Sequence, residues 1–325
     1  MNRSIIPGQT SRRRSPVRVN RQVPIKCAPD FAPTDGSLRV LAHPGWRHSS
    51  LRGAARFDPV ASPATLAGST THFHVYYANL LGKPGNEIAQ AALEKCERDY
   101  KLLADFFGQK DSLMFNVIIA PLSAQLDGSG GAYHRSCLAK DIYCDAQTTP
   151  MINSDVTNAL IAAQEVEVFG AVQGEGWRCG RSNGEGLSRA LASELYPNVL
   201  ERLGYSTAGF WLNSRRPNLL RRTLPTDTNL IANGCAVLFL NYLHAQLGFT
   251  WNQICQAGAD TLAGTYRKLT NETGAFASFS KLLERKFPRG ERVDLGTDNP
   301  FPIKKQPKAS ERPPKAATKN KNKDG

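Results

Sequence analysis

The 325-residue chain has no run of eighteen apolar residues, so nothing in it reads as a helix that spans a bilayer. Its first thirty residues lack an apolar h-region, so no ordinary secretory signal is visible and the cytoplasm is the expected compartment. Seven scattered cysteines are too few, and odd in number, for a disulfide-dense scaffold. Cys137 and Cys144 are spaced to meet across a hairpin, but free thiols are the expectation without an export signal. No acidic residue precedes Asp30, a composition compatible with an organelle transit peptide. The prolines there make a poor amphipathic helix, and a solvated basic tail fits better.

What the chain has in excess is positive charge, +13 overall. Residues 1–57 carry 11 basic and 2 acidic side chains, and residues 303–325 carry 8 and 2. The stretch 58–302 therefore holds 22 basic and 24 acidic residues, a balance of −2. The basicity belongs to the ends, so a nucleic-acid partner is expected only through them. Both ends are rich in Pro, Arg or Lys and poor in apolar residues, and disorder is expected over 1–60 and 303–325. Residues 70–290 are left as one domain, long enough to bury a core.

Within that domain the first half alternates strands with a helix. Residues 71–78 read as a strand with Phe73, Val75 and Tyr77 on one face and His72, His74 and Tyr76 on the other. Residues 86–108 read as a long amphipathic helix closed by Gly108, and 111–122 as an interior strand. Residues 132–146 then form a strand or hairpin at the sheet edge. The second half is helical. Asn153, Ser154 and Asp155 offer N-caps to a helix running to about Gly174, apolar on nearly every side and so buried. A short helix stopped by Pro197 follows, then an irregular Arg/Pro segment, an apolar helix over 234–248 and two further helices. The fold class is α+β, a small mixed sheet followed by a helical half.

The buried helix contains Gln164-Glu165-Val166-Glu167-Val168, and the next opens with Asn183-Gly184-Glu185-Gly186-Leu187-Ser188-Arg189. The element order and these two stretches together resemble the gluzincin-type metallopeptidases, the thermolysin-like superfamily, over about residues 70–290. The resemblance implies a zincin-like architecture. In that family two His of an HExxH helix and a Glu from the following helix hold Zn²⁺, and the Glu of HExxH accepts a proton from the metal-bound water. Carried over, the first ligand position falls on Gln164, the general base on Glu165, the second ligand on Val168 and the third on Glu185. Val binds no metal, and a Gln amide is a poor zinc ligand. The alternative register puts Ala163 and Glu167 at the ligand positions, also without His. The chain contains no HExxH anywhere.

Plainer readings stand beside these. Glu165 and Glu167 point about 160° apart around the helix axis, so they cannot serve one site. One is expected to face a cleft or solvent, and the other to find a partner inside or sit at an edge. The plain reading is a structural ion pair or hydrogen bond with Arg178, Arg181 or Arg189. Glu185 fits an S-x-x-E capping box with Ser182. His72 and His74 form an HxH with no assignable carboxylate partner, and read as surface residues. Cys179 lies just before Glu185, and His134 on the edge strand is the His nearest to serving it. The expected function is a degenerate metallopeptidase-like domain, a pseudoenzyme binding a protein or peptide. No cofactor is expected, zinc entering only with a non-standard site. Cleft candidates are Gln164, Asn183, Glu185 and His134, with Glu165 as the catalytic one. The alternatives are a hydrolase using Glu165 and Glu185 with an ion such as Mg²⁺ or Ca²⁺, and a nucleic-acid-associated protein binding through its tails.

Overall fold

The computed structural model describes residues 63–121, 132–134, 136–146, 154–197, 199, 206–225 and 229–304. The expectations for the basic ends lie outside the described residues, apart from the few at 303–304. The five-stranded sheet has the order β1-β2-β3-β5-β4, with β1 Ala64–Ser69, β2 Phe73–Ala78, β3 Phe115–Ala120, β4 Ala132–His134 and β5 Asp141–Asp145. The central β2–β3 and β3–β5 pairings are parallel, and the outer strands β1 and β4 run antiparallel to their neighbours. The mixed sheet and helical half of the α+β expectation are present, although the sheet begins one strand earlier than Thr70. β1 lacks the alternation that marks a half-buried strand. Its residues are mostly exposed, and it is held by backbone pairing to β2.

Helix α1 (Gly82–Phe107) connects β2 to β3. It ends at Gly108, whose φ of 63° provides the left-handed C-cap conformation. Its apolar stripe of Ile88, Ala92, Tyr100, Leu103 and Phe107 is buried. Phe73, Tyr100, Phe107, Phe115 and Phe169 form an aromatic cluster that joins the sheet, α1 and helix α2 (Ser154–Gln173), with centroid separations of 5.3–6.2 Å. α2 is buried without a break from Val156 to Gly170. A helix enclosed this way cannot send its polar residues to water, so each needs a partner or must remain neutral.

Helix α3 (Ser182–Leu195) lies between α2 and helix α5 (Leu230–Asn241). The short helix α4 (Ala208–Leu212) also packs on α5. Beyond α5 come a π-helical turn at Tyr242–Gln246 and helices α6 (Trp251–Gln256), α7 (Leu262–Thr270) and α8 (Ala275–Lys286). Trp211, Phe239, Tyr242 and Phe279 form the aromatic core of this half. Asp298, in the segment after α8, caps α4. Its Oδ1 accepts from Thr207 N and Ala208 N at 2.7 and 2.6 Å and from Ser206 Oγ at 2.8 Å. No helix among the described residues is long and apolar enough to cross a membrane.

Candidate functional site

The polar residues of α2 divide by helical phase. Glu165 lies on the side toward α1. Its side chain is fully buried, and neither carboxyl oxygen has a hydrogen-bond partner among the described residues. Burial, reinforced by the negative charges of Asp99 and Glu97 on α1, pushes its pKa well above the ordinary carboxylate range. Burial and these neighbouring charges therefore favour the protonated form of Glu165. Asp99 has partners of its own, Arg98 at 2.6 Å and the Tyr196 hydroxyl, which donates to it. Gln164 is also fully buried, and neither amide atom finds a partner among the described residues.

Glu167, on the opposite side of α2, meets the edge strand. Its Oε2 lies 2.9 Å from His134 Nε2, with both side chains wholly buried. The other ring nitrogen, Nδ1, lies 2.5 Å from the Ser136 carbonyl. A carbonyl only accepts, so Nδ1 carries a hydrogen. The Nε2···Oε2 contact then holds one proton shared between imidazole and carboxylate. Cys179 Sγ completes the group: a ring nitrogen of His134, a carboxylate oxygen of Glu167 and this sulfur lie within 4.8 Å of one another. The partner expected for Glu167 was an arginine; the structure supplies a histidine, because the α2 face bearing Glu167 packs under β4. Arg178 instead donates to Asp260 at 2.6 Å and Arg189 to Glu185 at 2.5 Å.

The cysteine expectation is corrected in the same place. Cys137 is disulfide-bonded to Cys179, with Cα atoms 5.8 Å apart, and not paired with Cys144 or free. Cys144 is out of reach because it sits on the interior strand β5, opposite Ala132, with its thiol donating to the Thr157 carbonyl. Cys137 lies past the end of β4, where the turn carries it over the loop preceding α3.

In α3 the capping-box reading of Glu185 also gives way. Ser182 already belongs to the helix, whose N-cap is Arg181 with no side-chain cap bond. Ser182 Oγ accepts instead from Leu224 N at 3.0 Å. Glu185 lies one turn before Arg189, and the two form a fully buried i,i+4 pair. Asn183 donates through Nδ2 to the carbonyls of Gly176 (2.9 Å) and Ala259 (3.2 Å), tying the loop before α3 to the α6–α7 connection. The glycines around Glu185 are there for close approach. A Cβ at Gly184 would stand 2.2 Å from the Arg178 carbonyl oxygen, and one at Gly186 2.5 Å from Ala236 Cβ on α5.

His72 and His74 part company despite their spacing. His72 Nδ1 meets Glu97 Oε2 at 2.8 Å and its ring stacks on Tyr100, while His74 Nδ1 meets Ser69 Oγ at 2.7 Å. The carboxylate that the sequence reading did not assign to His72 is Glu97, presented by α1. Beside the disulfide lies a groove of about 910 Å³ lined by Trp177, Arg178, Cys179, Arg181, Asp260 and Lys268, among others. Arg178 and Lys268 are paired with Asp260 and Glu175, whereas the Arg181 side chain has no charged partner among the described residues. The sequence signal for this groove was the composition of the loop 174–181, a Trp, three Gly and two Arg around one Cys.

No family model matches the chain, and no curated protein matches it. Among solved structures, a mutant M1 zinc metallopeptidase from Deinococcus radiodurans is similar at 15% identity with a TM-score of 0.36, over 73% of this chain. The matched region spans 53% of that enzyme's length.

Proposed function

We propose that this chain is a peptidase-like domain that has given up zinc-dependent hydrolysis and serves as a binding module for a peptide or protein segment. The observation that carries this reading is the state of Glu165. The general base of a zinc hydrolase must be ionised and must touch the metal-bound water. Glu165 is fully buried and unpartnered among the described residues, and burial, reinforced by Asp99 and Glu97, favours its protonated form. Val168 offers no donor atom, and the Glu185 carboxylate is engaged by Arg189. Zinc held in the usual gluzincin manner does not fit these residues.

The groove beside Cys179 is the surface best suited to binding. It presents the Arg181 side chain, which has no charged partner among the described residues, a feature that favours an extended peptide carrying a carboxylate. The disulfide in its wall supports a working place in an oxidising compartment, contrary to the cytoplasmic expectation. The test is an assay of the full chain with fluorogenic peptides in the presence of Zn²⁺. The expected outcome is no turnover above buffer for the natural chain or for Glu165→Gln. Turnover that Glu165→Gln abolishes would restore the enzyme. Binding of labelled acidic peptides, followed by anisotropy, should weaken in Arg181→Glu.

A further inference from the structure

We infer that the Cys137–Cys179 disulfide masks a metal site: its reduction releases Cys179 to join His134 and Glu167 in holding a thiophilic divalent cation of the Zn²⁺ class. The inference does not depend on the binding-module reading, and it concerns residues other than the gluzincin ligand positions.

Three observations converge on it. The donor atoms of His134, Glu167 and Cys179 already lie within 4.8 Å of one another. Ligands bound to zinc at about 2.0–2.3 Å in a tetrahedron lie roughly 3.3–3.8 Å apart, so about an ångström of side-chain movement closes the set. The outer hydrogen bond of a metal-bound histidine is in place too, since Nδ1 donates to the Ser136 carbonyl and Nε2 faces the cluster. Finally, Glu167 Oε1 is buried with no hydrogen-bond partner among the described residues, a lone acceptor beside the cluster. A thiolate, an imidazole and a carboxylate together select zinc over magnesium or calcium.

Oxidation and metal binding exclude each other, because the sulfur that would grip the ion is the one bonded to Cys137. A dithiol reductant opens the bond. Its thiolate attacks the half-buried Cys137 sulfur from the groove, and Cys179 leaves as thiolate. The second thiol of the reductant then resolves the mixed disulfide. Two electrons and two protons pass to the cysteines, and the reductant departs as its own disulfide. Metal uptake next displaces the Cys179 thiol proton and the proton shared by His134 and Glu167, releasing two protons per ion. Cys137 is the redox partner and not a ligand, and the three protein donors leave a fourth coordination position free.

The test uses the full chain, with zinc alone as probe. Zinc is measured after desalting, with and without prior treatment with a phosphine reductant, which does not compete for the ion as a dithiol would. The reduced chain should retain one equivalent and the oxidised chain none. In the reduced natural chain, added zinc should slow alkylation of Cys179 by roughly tenfold or more, while Cys96, Cys144, Cys235 and Cys255 report any general change of fold. Cys137→Ser should bind zinc without any reductant, and reduced Cys179→Ser should not. Equal zinc on the oxidised and reduced chains would overturn the proposal. So would an alkylation rate of Cys179 that zinc leaves unchanged, a measurement that needs no variant to fold.

Discussion

Glu165 is a carboxyl group whose environment sets its charge. In the unfolded chain it ionises at an ordinary carboxylate pKa of about 4.3. Folded, burial beside Asp99 and Glu97 keeps its proton on well above that value. Below the unfolded pKa both states are protonated and the residue favours neither. As pH rises past it, only the unfolded chain ionises, so folding stability falls by about 1.4 kcal/mol for each unit by which the two values differ. Glu165→Gln keeps the shape and removes the titration. The variant should match the natural chain near pH 4 and melt several degrees higher near pH 7, measured by thermal unfolding across that range. A variant that melts lower at pH 7 would mean the carboxylate is ionised and in use. Glu185 should behave in the opposite way. Glu185→Gln takes from the buried Arg189 guanidinium the carboxylate it donates to, and should cost about 3–5 kcal/mol in chemical denaturation. A loss of a few tenths would be the signature of a mere helix cap.

The long elements of this chain announce themselves and the short ones do not. α1 is legible because its apolar stripe recurs at helical spacing and a glycine closes it; α2 because it is apolar all round. β1, α4 and α6 are too short to show such a pattern. β1 is a mostly exposed strand whose pairing comes from the neighbouring backbone, with a register irregularity between Leu66 and Gly68. α6 did carry a signal: Thr250 and Gln253 form a capping box, with the Thr250 hydroxyl accepting from the Gln253 amide and Gln253 Oε1 accepting from Thr250 N. The reading of Ser182 to Glu185 as such a box failed because Ser182 already sits inside the helix and bonds to Leu224. At this scale the α3–α5 contact is the tightest prediction. Gly186→Ala drives a methyl against Ala236 Cβ and the α5 backbone. The two helices should be forced apart at a cost of about 1–3 kcal/mol, read as a lowered denaturation midpoint with an unchanged slope.

The disulfide links the two halves of the molecule, joining the turn after the sheet's edge strand to the loop that opens the helical half, across a sequence separation of 42. A loop of that length, closed in the unfolded chain, removes entropy worth about 4 kcal/mol at 25 °C. Replacing both cysteines by serine should therefore lower stability by about that amount. Because that entropy belongs to the unfolded chain, the loss should appear in hydrogen exchange as a uniform drop in the globally protected amides. A loss confined to β4 and the loop before α3 would mean instead that the bond acts by holding those two segments together in the folded state.

The sequence by itself determined which segments are buried and how charge is apportioned, because hydrophobic periodicity and composition are local properties. It placed a nearly neutral folded stretch between two basic ends, showed a fully enclosed helix with two glutamates in it, and separated those glutamates onto opposite sides by helical phase. Only the tertiary structure decided what each buried polar group meets. His134 reaches Glu167 across 33 positions, Cys137 reaches Cys179 across 42, and Glu165 is buried beside α1 carboxylates, which together raise its pKa. Such partners are set by how the elements pack in space, which no local pattern records.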